Sequence, residues 1–592
     1  MINGGVKLFS RIRKGFSAIP ERTQLVLLSF VVGLGCGFAA VLLKTMIKWI
    51  HHGLTFWFDK PSDGYFYLIY PGIGMFLSFL FVRYIVRSDI SHGVTKVLLS
   101  ISRNESRIKA HNTWTSIAAS SVTIGFGGSV GAEAPIVYTG AAIGSNVGRS
   151  MGMSYKNMTI LLGCGAAGAV AGIFKAPLAG VLFTLEILLF NISMTSILPL
   201  LISSITATVV SYLFLGDAVA ISNTTETFSM GNLPYYFILG IFCGIISLYF
   251  IRTTLRVEDK MRRIRKPMNR WIIGSIAMGV LVFLFPPLYG EGYDSLTLML
   301  NNNPIEMAGG IIGERLLANK WSILIFFTAI LLVKVYATAF TNAGGGVGGT
   351  FGPTLFTGGI AGFVLGRFIN LTGIHVIPEA NFVLVGMGGL MAGVMQAPMT
   401  AIFLIAEITG GYDLLIPLIL TSAISFATIR LVEQYSIYTK RIAQQGDLLT
   451  HDSDRAVLIL LKTSDLIETD FSTIRINSNL GDLVKVIAVS SRNIFPVVDH
   501  YNQFQGIVFL DDVRRMMFDQ SQYESVQIHN IMKNAPALVY YDEKMESVMN
   551  KFELTQAWNL PVVDRNNKYL GFVSKSKIFS SYREQLQQVS HD

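Results

Sequence analysis

Charge is what this chain is short of. Only 14% of its 592 residues are Asp, Glu, Lys or Arg, while 51% are hydrophobic. An ordinary soluble domain carries about 25% charged residues, so the balance excludes a soluble globular protein and reads as an integral membrane protein. Cysteine is scarcer still. Cys36, Cys164 and Cys243 each lie inside an apolar run with no metal-ligand spacing, which argues against a metal site and leaves packing. Acids are also nearly missing from the apolar runs, Glu133, Glu186 and Glu407 being the exceptions. That argues against a cation pathway, even with Glu133 as ligand. It argues equally against a membrane enzyme, which needs converging acid, base or metal ligands. No metal site is expected.

The net charge of +9 does not point to nucleic acid, because the basic residues cluster beside apolar spans. Lys7, Arg11, Arg13 and Lys14 precede the first span, and Arg262, Arg263, Arg265, Lys266 and Arg270 separate two later ones. The positive-inside rule puts both clusters in the cytoplasm. The first apolar run, about 25–50, is too long for the apolar core of a cleaved signal and reads as a membrane helix.

After a basic segment over 1–23, apolar runs are read at about 24–50, 66–86, 233–251, 271–286, 320–341, 353–370, 382–394 and 398–432. Between 113 and 215 the apolar character is nearly continuous but broken by Gly and Pro. Broken helices at membrane depth are tolerated only where protein or a water-filled cavity covers the backbone, which suggests a transporter or channel core. The stretch from about 287 to 318, with Asn301-Asn302-Asn303-Pro304, reads as an extracellular loop with short helices. An internal repeat runs through the core. Ala171-Gly172-Ile173-Phe174-Lys175-Ala176-Pro177-Leu178, ending Leu185-Glu186-Ile187, returns 221 residues later as Ala392-Gly393-Val394-Met395-Gln396-Ala397-Pro398-Met399, ending Ala406-Glu407-Ile408. Two related halves meeting around a midplane site are expected, about 24–216 and 233–433. Gly344-x-Gly346-x-x-Gly349 matches a dinucleotide fingerprint as a pattern only. It follows an apolar run rather than a strand and lacks the acid about 20 positions on.

A glycine-rich turn holding one carboxylate runs Gly127-Gly128-Ser129-Val130-Gly131-Ala132-Glu133-Ala134-Pro135. Glu133 sits at membrane depth with no cation near it in sequence, where an ionisable group is a functional hypothesis by default. A helix N-terminus opened by small residues offers N–H groups to an anion, and a carboxylate there would compete for them as a gate. The alternative is a helix-packing turn around a satisfied Glu. A weaker echo of this loop is Gly349-Thr350-Phe351-Gly352-Pro353.

With these pieces, residues 25–440 resemble the CLC family of chloride channels and proton-coupled anion antiporters. Ser91-His92-Gly93-Val94-Thr95 corresponds to the family's first anion loop, Gly131-Ala132-Glu133-Ala134-Pro135 to its gating-glutamate loop, Gly349-Thr350-Phe351-Gly352-Pro353 to its G-x-F-x-P loop, and Ser436-Ile437-Tyr438 to its pore tyrosine. The resemblance implies an all-α polytopic membrane fold of two inverted-topology repeats of broken helices, working as a homodimer among membrane lipids. It implies Glu133 as the gate, chloride or another small anion as the permeant ligand, and an anion site drawn from His92, Gly93, Thr350, Phe351, Gly352 and Tyr438. A bacterial plasma-membrane location follows, with both termini cytoplasmic. Three departures matter. His92 stands where chloride-selective members carry Ser, Ala132 replaces a basic residue, and Ile187 fills the position of the inner proton-accepting glutamate. Lacking that acid, the chain reads as a passive chloride channel, with proton-coupled antiport as the alternative.

Beyond 447 the pattern changes to short strands and amphipathic helices. Phe495-Pro496-Val497-Val498-Asp499 recurs as Leu560-Pro561-Val562-Val563-Asp564. This resembles a tandem CBS pair, an α/β module with copies at about 465–520 and 528–585. The family's nucleotide site needs a Ser or Thr and, three positions on, an Asp. The first copy has Asp512 without the hydroxyl and the second has Ser574 without the Asp. A structural or dimerisation role is expected, with adenine-nucleotide binding the alternative.

Overall fold

The computed structural model describes residues 19–56, 66–103, 105–188, 194–216, 226–300, 319–443, 461 and 463–590. The basic cluster at Lys7–Lys14, the asparagine-rich stretch after Leu300 and the start of the tail at 447 lie outside them. The chain divides into two units, Met1–Leu449 and Thr450–Asp592.

In the first unit, α1 (Glu21–Thr55) shows why these helices need a bilayer. Leu28, Val32, Cys36, Ala40 and Leu43 recur at three- and four-residue spacing and are buried. The opposite face carries Leu27, Val31, Phe38 and Leu42, all exposed. A helix apolar all round that leaves such side chains outward is built for lipid or another apolar surface. Among the described residues, eight helices are long and apolar enough to cross a membrane. The chain continues through α2 (Phe66–Leu80), α3 (Gly93–Arg103), α4 (Thr115–Gly125), α5 (Glu133–Met151), α6 (Tyr155–Phe174), α7 (Pro177–Phe183), α8 (Met194–Leu215), α9 (Leu233–Arg262) and α10 (Pro267–Leu284). It then forms α11 (Tyr293–Leu300), α12 (Lys320–Ala343), α13 (Phe351–Thr372), α14 (Glu379–Met395), α15 (Pro398–Ile408), α16 (Leu415–Arg430) and α17 (Ile437–Ala443). The long run at 113–215 thus resolves into five broken helices, and 398–432 into two.

The repeat is structural as well as sequential. Helix α6 ends at Lys175 and α14 at Gln396, both in the left-handed region (φ 58° and 54°). In each half an Ala follows and a Pro then opens the next helix, as expected of a residue that fixes φ and needs no N–H at the first turn. Each half also packs two helices through facing glycines. A Cβ on Gly140 would lie 2.1 Å from the carbonyl oxygen of Gly165, and one on Gly358 2.5 Å from that of Gly386. In membranes, where the hydrophobic effect does not drive helices together, such close approach is what van der Waals packing requires.

The tail holds two three-stranded sheets of identical plan. In the first, β1 (Ile474–Arg475) runs parallel to β2 (Ile494–Val498), which pairs antiparallel with β3 (Phe504–Phe509). The second repeats this with β4 (Val539–Tyr540), β5 (Asn559–Val563) and β6 (Tyr569–Ser574). The copies join reciprocally. The N–H of Phe504 donates to the carbonyl of Asn567, and that of Tyr569 to the carbonyl of Asn502, both at 2.9 Å. Phe471, Phe504, Ile507, Tyr569 and Phe572 form an apolar cluster between them.

Candidate anion site and its gate

Two loops, one from each half, meet at the centre of the membrane unit. Gly131 and Gly349 form an isolated antiparallel bridge, N–H to carbonyl at 3.0 and 2.7 Å. A side chain here would displace the gate carboxylate and crowd the other loop: a Cβ on Gly131 would sit 2.0 Å from Oε2 of Glu133 and 2.9 Å from the backbone nitrogen of Gly352. The bridge brings the first turns of α5 and α13 together. Glu133, the first residue of α5, is 2% exposed. Its Oε2 accepts from the N–H of Gly352 in the first turn of α13 at 3.2 Å. Its Oε1 accepts from the Tyr293 hydroxyl at 2.6 Å.

The remaining anion-loop residues gather around this point. Gly93 begins α3 so close to α5 that a Cβ would meet the carbonyl oxygen of Ala134 at 2.2 Å. Thr350 and Phe351 open α13 and are each 2% exposed. Tyr438 on α17 is also 2% exposed and lies beside Thr350. His92 adopts a left-handed conformation (φ 55°). Its Nε2 lies 3.7 Å from Glu258 of α9, a carboxylate that Arg441 of α17 grips with Nε at 3.2 Å and a terminal nitrogen at 2.7 Å.

At the position read as the missing inner proton acceptor, Ile187 is 6% exposed in a π-helical turn, Thr184–Leu188. Its neighbour Glu186 accepts from the N–H groups of Met399 (2.9 Å) and Thr400 (2.7 Å) and from the Thr400 hydroxyl (2.7 Å). Glu407 does the mirror image, accepting from the N–H groups of Leu178 (3.0 Å) and Ala179 (2.8 Å). Each half's glutamate therefore caps a helix of the other half, satisfying donors that a helix start leaves unpaired.

Sequence reasoning missed the third side of the site. The segment Tyr289–Tyr293 lies in the stretch read as an external loop, yet its described part is packed, with Leu296, Met299 and Leu300 buried. The Gly290 N–H donates to the Gly127 carbonyl at 3.1 Å. Glu291 Oε1 accepts from the Ala132 N–H at 2.8 Å. Lys334 of α12, fully buried, donates to the Gly290 carbonyl at 3.3 Å and stands 4.6 Å above the Phe356 ring. Two tyrosines and an acid among three glycine-flanked positions were the available signal. In the tail, Asp512 pairs with Lys533 at 2.7 Å, and the Ser574 hydroxyl is engaged by Glu468 and by the Lys577 N–H, so both half-site residues already have partners within the chain.

Residues 73–430 match the family described as Voltage gated chloride channel, and residues 528–584 match the CBS domain. The chain is 26% identical over 566 residues to chloride channel protein CLC-e of Arabidopsis thaliana, covering 84% of this chain and 77% of that one. It is 27% identical to the H(+)/Cl(-) exchange transporter ClcA of Klebsiella pneumoniae, over 70% of this chain and 88% of that protein. Its fold is similar to that of a slow cyanobacterial Cl-/H+ antiporter (TM-score 0.61, 23% identity, 72% of this chain and 98% of the other). It is also similar to a eukaryotic CLC transporter (TM-score 0.59, 16% identity, 96% and 98%). Members of the matched family are channels or transporters rather than enzymes. With the family match covering more than half of its length, this chain belongs to the CLC family, as a multi-pass membrane anion transporter with C-terminal CBS domains.

Proposed function

We propose that this protein conducts chloride passively, with Glu133 as the gate. The observation that carries this reading is the Glu133 carboxylate itself, seated on the Gly352 N–H at the first turn of α13, where it competes with an anion for helix N-terminal donors. When the carboxyl is neutral or swings away, those donors, the N–H groups of Thr350 and Phe351 and the hydroxyl of Tyr438 take the anion. His92 and Gly93 bring the first loop against this site, His92 through its backbone, since its ring turns toward Glu258. The apolar Ile187 and the engagement of Glu186 as a cap leave no free acid at the inner proton position.

A second reading, proton-coupled antiport, is favoured by the relatives named as H(+)/Cl(-) exchangers. A relative in fold is a CLC-type fluoride/proton antiporter, so the test below is repeated with fluoride-loaded liposomes. We further propose a homodimer in a bacterial plasma membrane with its CBS tail in the cytoplasm, the side that the basic residues following α9 favour.

Purified protein in chloride-loaded liposomes, with external pH recorded, separates the readings. Chloride flux without proton movement is expected, and uphill proton movement driven by chloride would replace the channel by the antiporter. Glu133→Gln is expected to give flux independent of pH; a variant that keeps the wild-type profile sinks the gate.

A further inference from the structure

Glu133 is held from two sides, and one of them belongs to neither anion loop. The Tyr293 hydroxyl donates to Oε1 at 2.6 Å, shorter than the 3.2 Å bond from Gly352. Tyr293 cannot follow the carboxylate if it moves, because its segment is fastened. Gly290 and Gly292 take positive φ (65° and 95°), and a Cβ on Gly292 would meet the Phe356 ring at 2.5 Å. The Gly290 N–H is tied to Gly127, the Gly290 carbonyl to Lys334, and Glu291 to the Ala132 N–H. The donor is thus presented rigidly from outside the two repeat loops.

Resting on the gate reading above, we infer that Tyr293 is a positioning residue that latches Glu133 in its closed seat, so that opening requires breaking the phenol–carboxylate hydrogen bond. A phenol only donates to an ionised carboxylate, and such charge-assisted bonds are stronger than neutral ones. The bond therefore favours the seated, ionised gate over the displaced or neutral one. Other charged groups also bear on this balance. Lys44 of α1 faces Glu133 and Glu291, with Lys48 and Lys175 beside it; Glu291 faces Tyr293 and Lys334; Tyr438 faces Glu133 from α17, with Arg441 behind it. Tyr293→Phe leaves every one of these charged groups in the chain.

The test compares chloride flux against pH in liposomes for the full-length wild type, Tyr293→Phe, Glu133→Gln and the double variant. Tyr293→Phe is expected to raise flux at neutral pH by about tenfold, which corresponds to about 1.4 kcal/mol. It should leave flux at acid pH, where the gate is already neutral, at the wild-type level, and add nothing in the Glu133→Gln background. Unchanged neutral flux in Tyr293→Phe alongside an open Glu133→Gln overturns the latch and spares the gate. An equal rise in the Glu133→Gln background also overturns it. A wild-type profile in Glu133→Gln removes the gate and the latch together. If Tyr293→Phe does not yield folded protein, monofluorotyrosine at position 293 nearly keeps the shape and strengthens the donor while the phenol stays protonated at neutral pH. Its flux at neutral pH should fall below wild type, and a rise would overturn the latch.

Discussion

The reciprocal caps allow a stability prediction with a built-in ranking. Glu186→Ala removes three hydrogen bonds to the start of α15, and Glu407→Ala removes two to the start of α7. Bonds to an ionised group contribute about 1.5–3 kcal/mol each when buried. Leu178 and Met399 are 39% and 46% exposed, so about 1 kcal/mol per bond is the appropriate scale, giving a loss of about 3 kcal/mol for Glu186→Ala and about 2 kcal/mol for Glu407→Ala. The two caps close the same α7–α15 contact, so the double variant should lose less than the sum. Heating detergent-solubilised protein and following the monodisperse fraction should rank wild type above Glu407→Ala and Glu407→Ala above Glu186→Ala. Wild-type stability in both single variants, or the reverse order, would refute the capping argument. Glu186 would then be free for another task, including proton transfer.

Other consequences can be checked one by one. Gly165→Ala places a Cβ 1.9 Å from the Gly140 carbonyl oxygen, so it should separate α5 from α6 and abolish folded protein on size exclusion, whereas Gly53→Ala, with open space around it, should be silent. Glu258→Gln leaves the Arg441 guanidinium, 4% exposed, without its anion; breaking a buried pair costs about 3–5 kcal/mol, and a thermal midpoint near that of the wild type would contradict it. In the tail, Glu543 holds Lys551, Ser547 and the Tyr540 N–H, which keep its carboxyl below the ordinary value near 4.5 despite partial burial. A depressed folded pKa stabilises above the unfolded value and is lost as pH falls through the folded one. Protection factors around β4, taken relative to the intrinsic exchange rate at each pH, should therefore fall below about pH 4.5, and Glu543→Gln should remove that dependence.

The parts of this molecule that the sequence discloses are those written in periodicity and repetition. The 221-residue echo placed Lys175 and Gln396, Pro177 and Pro398, and Glu186 and Glu407 in equivalent roles, and the structure finds each pair doing the same thing. Glycine loops with a membrane-depth carboxylate identified the Gly131–Glu133 and Gly349–Gly352 turns because few other residues permit such approach. Side-chain contacts between distant segments are different. Tyr293 and Glu291 reach the gate across some 160 positions, and nothing in local polarity distinguishes a polar turn folded onto the core from one that faces water. His92 shows the same limit. Its place in the loop could be read, but not the direction of its ring, which is decided by Glu258 far along the chain.

The crossed caps also bear on how the protein is made. When α7 has left the ribosome, the carboxylate that will satisfy its first amides still lies 228 residues away in Glu407. At about 5–20 residues per second, that partner arrives on the order of 10–45 s later. Through this interval the first half holds an unfinished helix start and a Glu186 with nothing to cap, both at the seam where the second half will dock. The first half is thus a template that cannot close on itself, and the dependence runs both ways, so neither half gains its full stability until the other is in place.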